Sequence, residues 1–271
     1  MIGFKEGPAA RYEPDRVWIS PGSIAGERPS GPSGRFFIVP FYIRRFEKES
    51  ILRIEGPLVP FEGPDLQCGA KETFDVLLNG RVRIIQPRDG YRVNQDSLRL
   101  CQFVRPIPEA KGIDLGAGCG IMAIVLVLEE KVKTMMALEL QEKLAAFARQ
   151  NATLNGLDGR IEVVRGDMRR VEKLFKPHSF GLAVSNPPYR VIGSGRPSPS
   201  VEKNIARQEQ WCSLEDLVRA AAYLLKANGI FTFCQLKERW GEIEKVLAAH
   251  DFHITRREAM GTVVLVEALK Q

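Results

Sequence analysis

From residue 73 onward the apolar positions change their period several times, and each change marks an element. In "FDVLLNGRVRIIQ" two short apolar runs flank Asn79-Gly80. Both residues accept the positive φ that a type I′ turn requires, so the pattern predicts a β-hairpin. In "NQDSLRLCQFV", Leu98, Cys101 and Val104 recur at helical spacing, with Asp96 or Ser97 as the expected cap. After Pro108 short apolar runs alternate with amphipathic ones. "KGIDLGAGCG" reads as a strand entering a glycine turn, "IMAIVLVLEEK" as a helix and "KTMMALEL" as a strand. "QEKLAAFARQNATLNG" puts Leu144, Phe147 and Ala148 on one helical face and stops at Asn155-Gly156. "RIEVVRGD" and "SFGLAVS" read as strands. "SLEDLVRAAAYLLKANG" reads as a helix capped by Ser213, with Asp216 in the capping-box position. "IFTFCQL" is a strand, "ERWGEIEKVLAAH" a helix, and "FHITRRE" with "TVVLVEAL" a closing antiparallel pair. This alternation predicts an α/β fold: a seven-stranded, mainly parallel, doubly wound sheet covered on both faces.

Three segments follow: an N-terminal extension (1–70), a hairpin with its capping helix (71–107), and the α/β domain (108–271). The extension contains "SPGSIAGERPSGPSGR", rich in Gly, Pro and Ser, and an apolar stretch broken by Pro40. The bland reading is a flexible or loosely docked tail. A basic arm using Arg35, Arg44, Arg45 and Arg53 on RNA is the sharper one, and a downstream true start codon is a third.

Composition narrows the picture modestly. The 271 residues carry a net charge of +6, which permits a nucleic-acid partner without requiring one. No apolar run reaches the roughly 18 residues of a membrane span, and the start lacks a signal-peptide pattern. Five scattered cysteines and three histidines argue against a disulfide framework or a metal site, and the expected setting is the reducing cytoplasm. Oligomeric state is not legible.

The candidate chemistry starts at Asp114-Leu-Gly116-Ala-Gly118-Cys119-Gly120. Glycines let backbone turn tightly against a ligand, and ligands of open α/β sheets bind beyond the carboxyl ends of the strands. Gly118, Gly120 and Ala123 also fit the dinucleotide pattern, with Glu139 at the distance of a ribose-binding acid. Asp114 is the discriminating residue. A carboxylate there would repel a pyrophosphate, whereas a cofactor bearing an amine and a sulfonium would tolerate it, which favours S-adenosylmethionine. The bland readings are a packing turn, a helix cap and a surface acid. Asp167, after the next strand, either accepts from an adenine amino group or simply caps "MRRVEKLF".

The apolar run "GLAVS" ends in Asn186-Pro187-Pro188-Tyr189. Prolines fix φ and remove donors, so the turn is stiff and offers a small polar claw. Beyond it lies a Gly/Ser/Pro-rich loop, in which Arg190, Arg196, Lys203 and Arg207 could meet phosphates. A mobile loop with scattered charge is the bland alternative. Arg165, Arg169, Arg170 and Lys173 read as a solvated helix face.

"DLGAGCG", "ALEL", "GDM" and "NPPY", in this order, resemble the class I methyltransferases that modify a planar amino group, over about residues 73–270. "GYRVNQDSLRL" and "ARQE" resemble more narrowly the bacterial tRNA1(Val) adenine-37 N6-methyltransferases, although Val93 stands where that family usually has Phe. The resemblance implies a Rossmann-like fold, S-adenosylmethionine as cofactor, and a tRNA adenine as substrate. It implies that Tyr91, Arg92 and Asp96 line or lid the cofactor site. The Asn186 oxygen and the Pro187 carbonyl would accept the two amino protons and free the nitrogen lone pair. Pro188 would stiffen the turn, and Tyr189 would stack on the base. No strong base and no metal are needed. Release-factor glutamine methyltransferases and guanine-N2 RNA methyltransferases share N-P-P-Y, but the helical N-terminal domain of the former is not evident here. A nicotinamide oxidoreductase leaves Asp114 and the claw without a task. An RNA-binding protein with a decayed fold would be expected to lose Asn186 or Glu139.

Overall fold

The computed structural model describes residues 69–90, 92–187 and 212–271. Nearly all of the N-terminal extension lies outside them, as do Tyr91, Pro188, Tyr189, Arg190, Arg196, Lys203 and Arg207.

Strands β1 (Glu72–Leu77) and β2 (Val82–Pro87) form an antiparallel hairpin. At its tip Asn79 and Gly80 take φ of 55° and 89°, and the Arg81 amide donates to the Leu78 carbonyl at 3.2 Å. These are the signs and the closing bond of a type I′ turn, as the Asn-Gly pair predicts. Helix α1 (Gln95–Phe103) follows, and its cap differs from expectation. Asn94, in extended conformation, accepts the Ser97 amide at 3.0 Å, whereas Asp96 and Ser97 lie inside the first turn. A cap must precede the helical residues so that its side chain can fold back onto the N3 amide, and Asn94 is the polar residue so placed.

The main sheet comprises β3 (Ile107–Leu115), β4 (Val132–Glu139), β5 (Ile161–Arg165), β6 (Phe180–Ser185), β7 (Leu225–Leu236), β8 (Phe252–Met260) and β9 (Val263–Lys270). The spatial order is β5-β4-β3-β6-β7-β9-β8. The first five of these pair in parallel, and β9 runs antiparallel to β7 and to β8. The seven strands and the closing antiparallel pair match the hydrophobic pattern.

Helices α2 (Ile121–Leu128), α3 (Glu142–Leu154), α4 (Leu214–Leu224) and α5 (Trp240–Ala249) complete the described layers. The capping box of α4 is present, with Ser213 and Asp216 bonding reciprocally. Helix α4 ends earlier than the apolar pattern suggests, because Leu225 leaves it to pair with Phe180 on β6. Two cores result. One joins the hairpin, α1, α2 and α3 to one sheet face; the other joins α4 and α5 to the opposite face.

Two asparagines on α3 and its cap attach the hairpin. Asn151 accepts the Ile85 amide at 2.7 Å and donates to the Ile85 carbonyl at 2.9 Å. Asn155 does the same for Arg83, at 2.9 and 2.7 Å. One helical turn separates the two amides, so they act as an extra strand along the β2 edge.

Candidate active site at the switch point

The strand order reverses between β3 and β6. The chain runs outward through β4 and β5, then returns beside β3. Such a reversal opens a crevice at the carboxyl ends of the strands. The glycine turn follows β3 and Asn186 follows β6, so the sheet places the two candidate motifs side by side. Asp114 pairs with Val184, two residues before each.

The turn is held by its neighbour β4. The Gly116 and Ala117 amides donate to the Leu138 carbonyl at 2.9 and 3.0 Å, and the Gly118 amide donates to Glu139 Oε2 at 2.8 Å. Gly116, Gly118 and Gly120 all have φ between 57° and 87°. At Gly120 a Cβ would also meet Ala148 on α3 at 3.2 Å, so both backbone conformation and space demand glycine. Asn151 reaches this turn as well, donating to the Cys119 carbonyl at 2.9 Å, and so links turn, α3 and hairpin through one side chain. Burial pushes the Cys119 thiol up to about 12, which leaves it an inert core group.

Glu139 is buried, and its two oxygens accept the Gly118 and Gln141 amides, each at 2.8 Å. Burial raises its pKa, and the backbone amides act against that rise. Asp114 is fully buried on the α1–α2 face, and among the described residues neither of its oxygens has a hydrogen-bond partner of normal geometry, although the Ala123 amide lies close enough to act against the rise in its pKa. Desolvation, followed by the nearby Glu139, pushes its carboxyl up to about 8. Asp114 therefore does not discriminate between ligands as a fixed negative charge. Burial favours the neutral form of the carboxyl in the free chain, and what distinguishes ligands is whether they let it ionise. A cation favours the carboxylate; an anion keeps it neutral.

Asp167 caps a short 3-10 turn (Met168–Lys173), accepting the Arg169 amide at 2.9 Å and the Arg169 guanidinium at 2.6–3.0 Å. The guanidinium hydrogen bond holds its carboxyl below the ordinary range. The capping contact of the bland reading is thus present. Arg92 is engaged by the hairpin: its guanidinium donates to Thr73 Oγ1, the Pro87 carbonyl and Asp75 Oδ2, at 2.6, 2.9 and 2.8 Å. Asp96 lies in the first turn of α1.

Asn186 is buried, and its partners come from far away in the chain. Its Nδ2 donates to Ser97 Oγ at 2.7 Å and to Asn94 Oδ1 at 3.1 Å, both at the start of α1. The Cys234 thiol on β7 donates to its Oδ1 at 3.0 Å. Asn94, Cys234 and Asn151 were not singled out in the sequence, and Ser97 only as a possible cap of α1. Nothing in the spacing marks them, because 89 and 92 residues separate Asn186 from Ser97 and Asn94.

Comparison with known proteins agrees with this geometry. The family model "Methyltransferase small domain" matches residues 92–249. A tRNA1(Val) (adenine(37)-N6)-methyltransferase of Bacteroides fragilis is 31% identical over 141 residues, 52% of this chain and 58% of the relative. The protein of the same description from Tolumonas auensis is 30% identical over 176 residues, 64% of this chain and 71% of the relative. The chain thus spans well under two thirds of the length of the Bacteroides relative. Among solved structures, M. jannaschii TYW2 in complex with AdoMet superposes with a TM-score of 0.52 at 16% identity, over 75% of this chain and 88% of that one, a likeness of fold alone. The sheet is that of a class I methyltransferase, and the family match takes in both the glycine turn and Asn186. On that match, which covers more than half of its residues, this chain belongs to the methyltransferase small domain family.

Proposed function

We propose that this protein transfers a methyl group from S-adenosylmethionine to the exocyclic N6 amino group of an adenine in tRNA. The observation that carries the reading is Asn186: a buried carboxamide, tied down on both sides, at the end of the strand beside the glycine turn. The curated relatives described above are named for adenine-37 of tRNA1(Val), and that substrate comes to this chain as part of the proposal.

The chain's own residues fit such a cofactor. The glycine turn brings bare backbone to the crevice. Glu139 sits where it can exchange its amide contacts for ribose hydroxyls. Asp114 is a buried carboxyl with no hydrogen-bond partner of normal geometry among the described residues, chemistry that suits a cationic ligand and not a pyrophosphate. When bound, S-adenosylmethionine supplies an electrophilic methyl group on a sulfonium sulfur. Tyr91, Arg92 and Asp96 would line its pocket, and Asp167 would meet the adenine end.

The amino nitrogen of adenine is a poor nucleophile, because its lone pair is delocalised into the ring. Asn186 Oδ1 and the Pro187 carbonyl accept hydrogen bonds from its two N–H groups, which draws the nitrogen toward a pyramidal shape and localises the lone pair. Asn186 is held in advance, so little reorganisation remains at the transition state. Pro188 keeps the turn stiff, and Tyr189 stacks on the base. The target base must leave its stack to reach this crevice, which a tRNA loop allows more readily than a duplex. Arg190, Arg196, Lys203 and Arg207 then meet the phosphates that flank it.

The test is to incubate the protein with labelled S-adenosylmethionine and unmodified total tRNA, then digest to nucleosides. Label in N6-methyladenosine is expected. Label in N2-methylguanosine, or in a release-factor glutamine when protein is offered, would replace the reading with one of its rivals.

A further inference from the structure

Resting on that reading of Asn186 as the acceptor, we infer that Asn94 and Ser97, at the start of α1, are positioning residues that dictate which way the Asn186 carboxamide points. The three side chains form a closed triangle. Asn94 Oδ1 accepts the Ser97 backbone amide at 3.0 Å, so that atom must be an oxygen, facing inward as an acceptor. The Ser97 hydroxyl has one proton, and it goes to the same Asn94 oxygen at 3.0 Å. The Ser97 oxygen is left as an acceptor toward Asn186 at 2.7 Å. Asn186 therefore faces two acceptors, and only its NH2 can satisfy both. Turning the carboxamide over would press its oxygen against Asn94 Oδ1 at about the same 3.1 Å, acceptor on acceptor. With the NH2 held by α1, Oδ1 faces β7, where the Cys234 thiol supplies a matching, weak donor.

The consequence is chemical. A carboxamide turned over would offer hydrogens where the adenine amino group also offers hydrogens, and the claw would repel its substrate. The helix cap therefore does two tasks. It starts α1, and it sets the polarity of a group that lies about ninety residues away in the chain.

The experiment compares the wild-type full-length protein with Ser97→Ala, Ser97→Thr and Asn94→Asp. Ser97→Ala removes the strongest contact to Nδ2 while keeping the Asn94 cap. Asn94→Asp keeps an acceptor toward both Ser97 and Asn186. For Ser97→Ala, kcat should fall at least about tenfold, with the KM for tRNA and the Kd for S-adenosylmethionine within about twofold. Ser97→Thr should return kcat to within about threefold of wild type, and Asn94→Asp should do no worse. An unchanged kcat in Ser97→Ala, or a loss shared equally by kcat and cofactor affinity, would overturn the inference. A second readout is independent of turnover: the side-chain amide protons of Asn186, seen by NMR in protein carrying heavy nitrogen in asparagine and assigned through Asn186→Ala. They should exchange slowly in wild type and faster in Ser97→Ala; equal exchange would sink the positioning role. If the wild type methylates no tRNA, the functional reading fails, and the exchange measurement still decides whether α1 holds Asn186.

Discussion

The two lips of the crevice are built in opposite ways. The glycine turn after β3 is a backbone structure: left-handed glycines, amides bonded to the Leu138 carbonyl, and a single carboxylate from the adjacent strand end. The Asn186 lip after β6 is a side-chain structure. Its one functional amide is held by Asn94 and Ser97 from α1 and by Cys234 from β7. A backbone site suits a constant ligand, because backbone donors cannot be mistuned by rotamer changes. A side-chain site suits catalysis, because its acceptor must be aimed to a fraction of an ångström. The difference predicts that damage to the first lip shows in cofactor affinity and damage to the second in turnover.

The largest expected effect is at Asn186. Asn186→Ala should lower kcat by roughly 10²–10³, as when one preorganised hydrogen-bonding group is deleted, with the Kd for S-adenosylmethionine within about threefold. A loss of cofactor binding of similar size would erase the division between the lips.

Next is Asn151, which ties the glycine turn to the hairpin. Asn151→Ala strands the buried Ile85 amide and carbonyl and the Cys119 carbonyl. It should destabilise the fold by about 1–3 kcal/mol, read as a drop of several degrees in Tm. A neutral result would mean that water or a rearranged hairpin takes over those groups.

Glu139→Ala should weaken cofactor binding by about tenfold, since Gly118 and Gln141 lose their acceptor as well as the ribose. Titration calorimetry measures this, and unchanged affinity would remove Glu139 from the site. Its kcat at saturating cofactor should stay near wild type, the mirror image of Asn186→Ala.

The smallest effect on cofactor binding lies in pH. The Asp114 carboxyl sits at about 8 when folded and near the usual carboxylate value when unfolded. The folded chain therefore binds an extra proton between about pH 4 and 8, and stability should fall as pH rises through that window. Asp114→Asn should flatten the slope of Tm against pH. Because a cationic cofactor favours the ionised carboxyl, wild-type affinity should rise modestly toward pH 8, and the asparagine variant should lose that rise. A slope of stability unaffected by the substitution would show that Asp114 is ionised in the folded chain.

Much of this molecule was legible before the fold was known. The Asn79-Gly80 turn, the Ser213–Asp216 capping box, the three glycines at positive φ and the succession of strands and helices along the chain all follow from short-range rules. Backbone conformation and side-chain period act over a few residues, so a few residues suffice to reveal them. The misses at element ends have the same origin. Asn94, Asp96 and Ser97 are all capping residue types at the start of α1, and pairing with Phe180 drew Leu225 out of α4.

Tertiary structure alone decided the rest. The chain spelled out Asn186, Asp114 and Arg92, but not that α1 grips the first, that burial raises the pKa of the second, or that the third is used by the hairpin. Protonation and hydrogen-bond polarity depend on which atoms lie within a few ångströms, and the β3–β6 reversal assembles those atoms from parts of the chain about ninety residues apart.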